Sequence, residues 1–148
     1  MQSAAAQEPP GTAADFTAYH PPVTTALINP QSDGHQIGDI RVFGFTVTDE
    51  DGAEIGRLDG TLITTAIDIP NPGDEVRVSE LVFDFGGGDV IIVGGSGPYL
   101  AEAATFATDE ALVRPIKGTS GRFAGLTGWC ESFHLTDGSW RHVFHFVE

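Results

Sequence analysis

The sequence is poor in thiols, in cations and in long apolar runs. Cys130 is the single cysteine of the 148 residues, so no intrachain disulfide can form and the fold must rely on packing. Seven Lys and Arg stand against 21 Asp and Glu, a formal net charge of −14. A field of that sign repels phosphate backbones and anionic lipid, which argues against nucleic acid and membrane surfaces as partners. The acids are scattered, as in Asp49-Glu50-Asp51 and Asp74-Glu75, and fall where turns are expected, the pattern of a solvated surface. No apolar run approaches the ~20 residues that span a bilayer. The opening "MQSAAAQEPPG" lacks the basic and apolar regions of an export signal. A cytoplasmic location is the expectation, although the alanine run also fits the remnant of a cleaved signal.

What is present is enough for a core. Apolar residues make up 41% of the chain, with ten Phe, two Trp and two Tyr, in a length that suits one domain. Five of the nine prolines (Pro9, Pro10, Pro21, Pro22 and Pro30) fall before Ile37. Proline removes an N–H donor and fixes φ, so residues 1–36 are expected to form an extended arm, a possible lid, with 37–148 as the folded domain. Within the arm, Val23 to Asn29 suits one edge strand.

From Ile37 the chain alternates strand and turn. "DIRVFGFTVT" (39–48) is β-branched and aromatic and stops at an acidic turn; "EIGRLDGTLITTAID" (54–68) carries Gly56 and Gly60 as bends. "VRVSELVFDF" and "DVIIVGG" flank "GGG" as a hairpin, 102–108 is expected as a further strand, and "GLTGWCESFHL" and "SWRHVFHFV" close the last hairpin around Asp137-Gly138. Seven or eight short strands without a persuasive long helix predict an all-β fold, a small barrel or sandwich.

"GTSGRFAGLTGWCESF" (118–133) holds four glycines in eleven positions. It is not a phosphate loop: Gly128 is followed by Trp129-Cys130 rather than Lys-Ser/Thr, and strand rather than helix comes next. The glycines are expected to turn the chain at Gly118 and Gly121 and to let a strand curl at Gly125 and Gly128.

"GTSGRFAGLTGW" (118–129) resembles the signature of the allene oxide cyclase and dirigent barrel superfamily. Within it, "SGR-aromatic-x-GLTG" is similar to that of the bacterial spirotetronate cyclases. "DEDGAEIGRLDGTLI" (49–63) resembles their first hairpin. The resemblance implies an eight-stranded antiparallel β-barrel with a hydrophobic lumen that cyclises a linear polyketide. The reaction would be an intramolecular [4+2], Diels–Alder or hetero-Diels–Alder, cycloaddition of a tetronate-type substrate, with no metal or organic cofactor. It also implies a homodimer or other homo-oligomer, for which Trp129 and Phe133 would suit an interface if they face outward. Two alternatives stand beside it: a dirigent-like or lipocalin-like barrel that steers a hydrophobic ligand without making bonds, and an acid–base isomerase or cyclase of the same fold.

Cycloaddition develops little charge, so the chemistry asks for a shaped apolar cavity and a few polar anchors rather than a nucleophile. Phe43 and Phe45 share one face of their strand, and the resemblance turns Phe43 inward. It also puts Ser132 where relatives carry a large lumenal aromatic, Arg114 where they place a phenol, and Tyr99 and Glu80 near other pocket positions. Arg114, able to bond an acidic tetronate, Ser132, His134 and Glu80 are the candidate catalytic residues. Phe43, Phe45, Tyr99, Cys130, His142 and Phe144 are the candidate substrate contacts. His142 and His145 point to opposite faces and cannot chelate one metal, and no metal site is expected. The last turn decides the rest. A two-residue Asp137-Gly138 turn pairs Cys130 with His145, which would leave the thiol a possible nucleophile. A three-residue turn with a bulge at Gly138 pairs Ser132 with His142 and Cys130 with Phe144, which sends His142, Phe144 and Phe146 into the lumen.

Overall fold

A computed structural model describes residues 16–100 and 111–147. Among the described residues nine strands run in chain order: β1 (Phe16–His20), β2 (Ala26–Ile28), β3 (Ile40–Thr48), β4 (Glu54–Ile67), β5 (Asp74–Asp84), β6 (Val90–Leu100), β7 (Ala111–Ser120), β8 (Thr127–His134) and β9 (Trp140–Val147). All pairings are antiparallel, and β1 pairs with both β9 and β3, so eight strands close into a barrel. β2 is the extra strand, on the outer edge of β3.

The expected arm is shorter than its prolines suggest. Residues 16–20 form β1, which sends Phe16, Ala18 and His20 inward and completes the barrel. Pro21 and Pro22 follow the strand and do not interrupt it. Residues 1–15 and the strand expected over 102–108 lie outside the described residues. The Val23–Asn29 segment does supply an edge strand, at Ala26–Ile28.

Alternation along each strand sorts side chains between lumen and solvent. One barrel end is plugged by Phe16, Phe83, Phe85, Phe123, Phe144 and Phe146, whose rings meet edge-on, tilted or stacked; Phe83 and Phe144 pack at 4.9 Å and 88°. At the other end Leu62, Tyr99 and Trp140 gather with Val23, Phe43 and Leu112 in a second apolar cluster. The glycine-rich stretch turns the chain at Gly121 and Gly125, while Gly118, expected in a turn, lies within β7. Gly121, at φ +62°, opens a one-turn 3₁₀ segment (Gly121–Phe123) that tucks Phe123 into the plug. A Cβ at Gly128 would overlap the carbonyl oxygen of His145 on β9, so only glycine allows β8 to approach there.

The last hairpin uses the three-residue turn. Leu135 and Ser139 flank Thr136–Gly138, with Gly138 at φ +88°, and the register pairs Ser132 with His142 and Cys130 with Phe144. That register fixes what the lumen contains.

Candidate functional site

Between the phenylalanine plug and the far end lies a cavity of about 30 Å³, lined by His20, Val23, Phe43, Leu58, Leu62, Leu81, Tyr99, Arg114, Trp140 and His142. Space of that size admits one water-sized group. Its walls are apolar except for Arg114, Tyr99 and the two imidazoles.

Arg114 enters from β7, opposite Cys130 on β8, and its side chain is 2% exposed. Nη2 donates to Ser132 Oγ at 2.7 Å, and Nη1 donates to Ser79 Oγ at 3.0 Å and reaches Tyr99 Oη at 3.5 Å. Nε has no partner, and among the described residues Arg114 pairs with no carboxylate. A buried cation held only by hydroxyls is costly, because hydroxyl dipoles replace only part of the lost hydration. An anionic oxygen in the cavity would supply the missing charge.

Ser132 continues the polar chain. Its Oγ lies 2.7 Å from His142 Nδ1, His142 Nε2 lies 2.7 Å from His20 Nε2, and His20 Nδ1 lies 2.8 Å from the Pro21 carbonyl oxygen. Burial lowers the pKa of both imidazoles. His20 falls to about 4, and His142 is held well below the ordinary value by burial and then by the charges of His20 and Arg114. Both rings are neutral at pH 7. Cys130 is buried beneath Ser132, and burial pushes its thiol up to about 11. It is a packed thiol opposite Phe144 rather than a nucleophile beside a histidine.

Beyond Tyr99 lies an ionic cluster. Glu75, wholly buried on β5, accepts from Arg77 Nε at 2.8 Å and Thr64 Oγ1 at 3.1 Å, with Arg41 Nη1 at 3.8 Å. The Arg77 guanidinium lies over the Tyr99 ring at 4.9 Å. Arg41, Arg77 and Arg114 are all buried, three of the seven cations of an acidic chain.

The fold gathers most of the expected residues. Phe43, Tyr99, Arg114 and His142 line the cavity, and Ser132 stands directly behind it. Phe45 packs on His20 at 4.3 Å, and Phe144 belongs to the plug below. His134 is half-buried, stacked on Trp140 at 4.8 Å, and does not reach the cavity wall. Glu80 is a correction: it points out of the barrel and pairs with Lys117 at 2.7 Å, because inward Ser79 and Leu81 flank it. Trp129 is 38% exposed on the outer face and stacks on His145.

No family model matches the sequence, and no curated protein matches it significantly. Solved structures do. The chain is similar to a pyocyanin demethylase at a TM-score of 0.68 and 16% identity, over 90% of this chain and 99% of that one. It is similar to a structure described as a nonspecific heme-binding cyclase that catalyses [4+2] cycloaddition during neoabyssomicin biosynthesis. That match has a TM-score of 0.63 and 17% identity, and covers 92% of this chain and 65% of that one. It is also similar to AbnU, described as an exo-specific intermolecular Diels-Alderase, at 0.62 and 14%, over 92% and 98%. The likeness shows that this chain shares the barrel fold of these proteins.

One barrel thus hosts a demethylase and cycloaddition catalysts, so the reaction has to be read from the site. His20, Trp140, Ser79 and Leu62 were not expected there. His20 is 122 residues from His142 in sequence and meets it only through barrel closure. Ser79 was detectable by alternation, since it shares a face with Leu81 and Phe83.

Proposed function

We propose that this barrel is a cyclase that closes a ring in a linear, largely apolar polyketide with an acidic, tetronate-type head, by intramolecular [4+2] cycloaddition and without change of mass. The observation that carries the reading is Arg114, a buried guanidinium with no carboxylate partner among the described residues, set in an otherwise apolar cavity. The head oxygen serves as the counter-ion of this guanidinium. The apolar walls then fold the diene and dienophile onto each other. Holding two reacting groups together in this way is worth roughly 7 to 11 kcal/mol in favourable cases. A guanidinium bonded to a carbonyl or enolate conjugated with one partner also draws electron density from it, in a dry site where such a bond is strong.

The cavity of about 30 Å³ takes one water-sized group, the anionic oxygen of the head. The rest of the substrate is accommodated by displacing Phe43, Val23, Tyr99 and Trp140, which line that cavity. The catalysis needs no cofactor. The lumenal imidazole nitrogens are bonded to each other and to neighbours, so neither histidine offers a free ligand to a haem iron without breaking that chain.

An acid–base isomerase or cyclase is the second reading, favoured by the hydrogen-bonded run of Ser132, His142 and His20. Substitution separates the two. Ser132→Ala and His142→Phe leave an orientation-driven ring closure within about tenfold of wild type and abolish a proton-transfer reaction, whereas Arg114→Met disables the cyclase. Turnover of a linear tetronate carrying a diene and an alkene, followed by chromatography and mass spectrometry, reads the difference. Full activity in Arg114→Met overturns the anchored-head reading.

A further inference from the structure

We propose that His20 is a positioning residue for Arg114, acting through His142 and Ser132 to hold the guanidinium toward the cavity; the proposal rests on the oxyanion-binding role given to Arg114 above. The chain has two ends of fixed character. A guanidinium only donates and a backbone carbonyl only accepts. At one end, the Pro21 carbonyl obliges His20 Nδ1 to carry a proton, which leaves Nε2 of the neutral ring bare. His20 Nε2 then accepts, so His142 Nε2 carries the proton between the two rings. His142 Nδ1 is bare in turn and accepts the Ser132 hydroxyl proton. The serine oxygen is left with its lone pairs for Arg114 Nη2. With both rings neutral, as their burial favours, this is the proton arrangement that satisfies all four contacts.

Two consequences follow. Ser132 acts as an acceptor that fixes one arm of the guanidinium, while Ser79 and Tyr99 meet the other. Its own hydroxyl proton is committed to His142 and does not face a substrate. The chain is therefore a brace rather than a supply of protons. Removing the acceptor at position 20 would strand the His142 Nε2–H in the interior, a loss the ring escapes by moving its proton to Nδ1. That proton would face Ser132, displace the serine hydroxyl hydrogen and make the imidazole compete with Arg114 for one oxygen.

The test is nitrogen-15 NMR of the imidazoles together with calorimetric binding of two probes, the tetronic acid anion and its neutral O-methyl ether. In wild-type protein at pH 7, His142 is expected as the Nε2–H tautomer and His20 as the Nδ1–H tautomer, both uncharged. In His20→Phe, His142 switches to Nδ1–H, and the preference for the anion over the ether falls about fivefold to tenfold. His20→Asn, whose amide oxygen can accept, restores both; it also serves if the Phe variant does not fold. A merely structural lesion would weaken both probes alike, which overturns the proposal, as does an Nδ1–H tautomer of His142 in wild type. Equal binding of anion and ether by wild type removes the oxyanion role and with it the purpose of the brace, and the tautomers then report separately on the chain.

Discussion

Arg114 carries the largest unbalanced cost in the lumen, and that imbalance separates a binding role from a structural one. A buried charge kept for stability is destabilising to remove. A buried charge kept for a ligand is not. Arg114→Met is expected to melt no lower than wild type while losing at least about a hundredfold in turnover, the scale on which single oxyanion donors count. Arg114→Lys keeps the charge without the planar fork and should recover part of the rate. Gly60 supplies a second residue-scale test. Phe43 lies across it, and a Cβ there would overlap both the Phe43 ring and Leu81. Gly60→Ala therefore drives Phe43 into the cavity it lines; thermal melts should show a loss of about 1 to 3 kcal/mol, and turnover should fall with it.

The histidines make a pH prediction of definite sign. His20 has a folded-state pKa of about 4, below the 6.5 of the unfolded chain, so the unfolded state gains protons that the folded state refuses. Stability contributed by the neutral ring is complete above about pH 6.5 and is lost as pH falls toward 4. Urea midpoints should drop between pH 7 and pH 4.5 by more in wild type than in His20→Asn. Arg114, Ser132 and Tyr99 could be expected from the resemblance that the glycine-rich stretch carries, and strand parity put Phe43 and Phe45 on one face. His20 could not, since a five-residue strand before Pro21-Pro22 carries little pattern of its own. Glu80 was misplaced because proximity in an alignment does not determine the face.

At the scale of elements, β5 shows why parity failed locally. Toward its start Val76 and Val78 face outward while Glu75, Arg77 and Ser79 are buried, an inversion of the usual apolar-in pattern. The ionic cluster at that barrel end makes the inversion workable. Its outer member is His35, in the segment between β2 and β3, which lies 3.0 Å from Glu75 through Nδ1 and 3.0 Å from Asp68 through Nε2. Arg41 ties the same segment down through the Gly34 carbonyl, and Asp39 is gripped by Asn29 and Ser32. Bonds to Asp68 and then Glu75 raise the His35 pKa. The latch is therefore fully present below pH 6.5 and is lost as pH rises through the raised value. Amide exchange at Gly38, which donates to the Thr64 carbonyl, should be slower at pH 6 than at pH 9 after correction for intrinsic rates. His35→Asn should erase that difference.

Across the whole molecule the charge is segregated. A chain of formal charge −14 keeps three of its seven cations buried, with Asp39 and Glu75 as the buried acids among the described residues. An acidic substrate thus approaches against a repulsive exterior and binds at the buried Arg114. Salt screens the first effect far more than the second, because buried charges lie beyond the reach of mobile ions. Raising ionic strength from about 0.01 to 0.3 M, a change in Debye length from ~30 to ~6 Å, should raise kcat/KM for a tetronate anion. It should leave a neutral ether analogue unchanged. Barrel closure was legible from strand spacing and the glycine-rich stretch. The burial of Arg41, Arg77 and Glu75 was not, because strand patterns do not show which polar faces turn inward.

The central claim is mass-neutral ring closure, and one measurement meets it directly. Metabolites of the source organism lacking this gene are compared by mass spectrometry with those of the parent, and the purified protein is then added to whatever accumulates. The account predicts a linear tetronate isobaric with a later product, converted by wild-type protein and not by Arg114→Met. An unchanged profile, or an accumulating compound whose mass differs from that product, would contradict it.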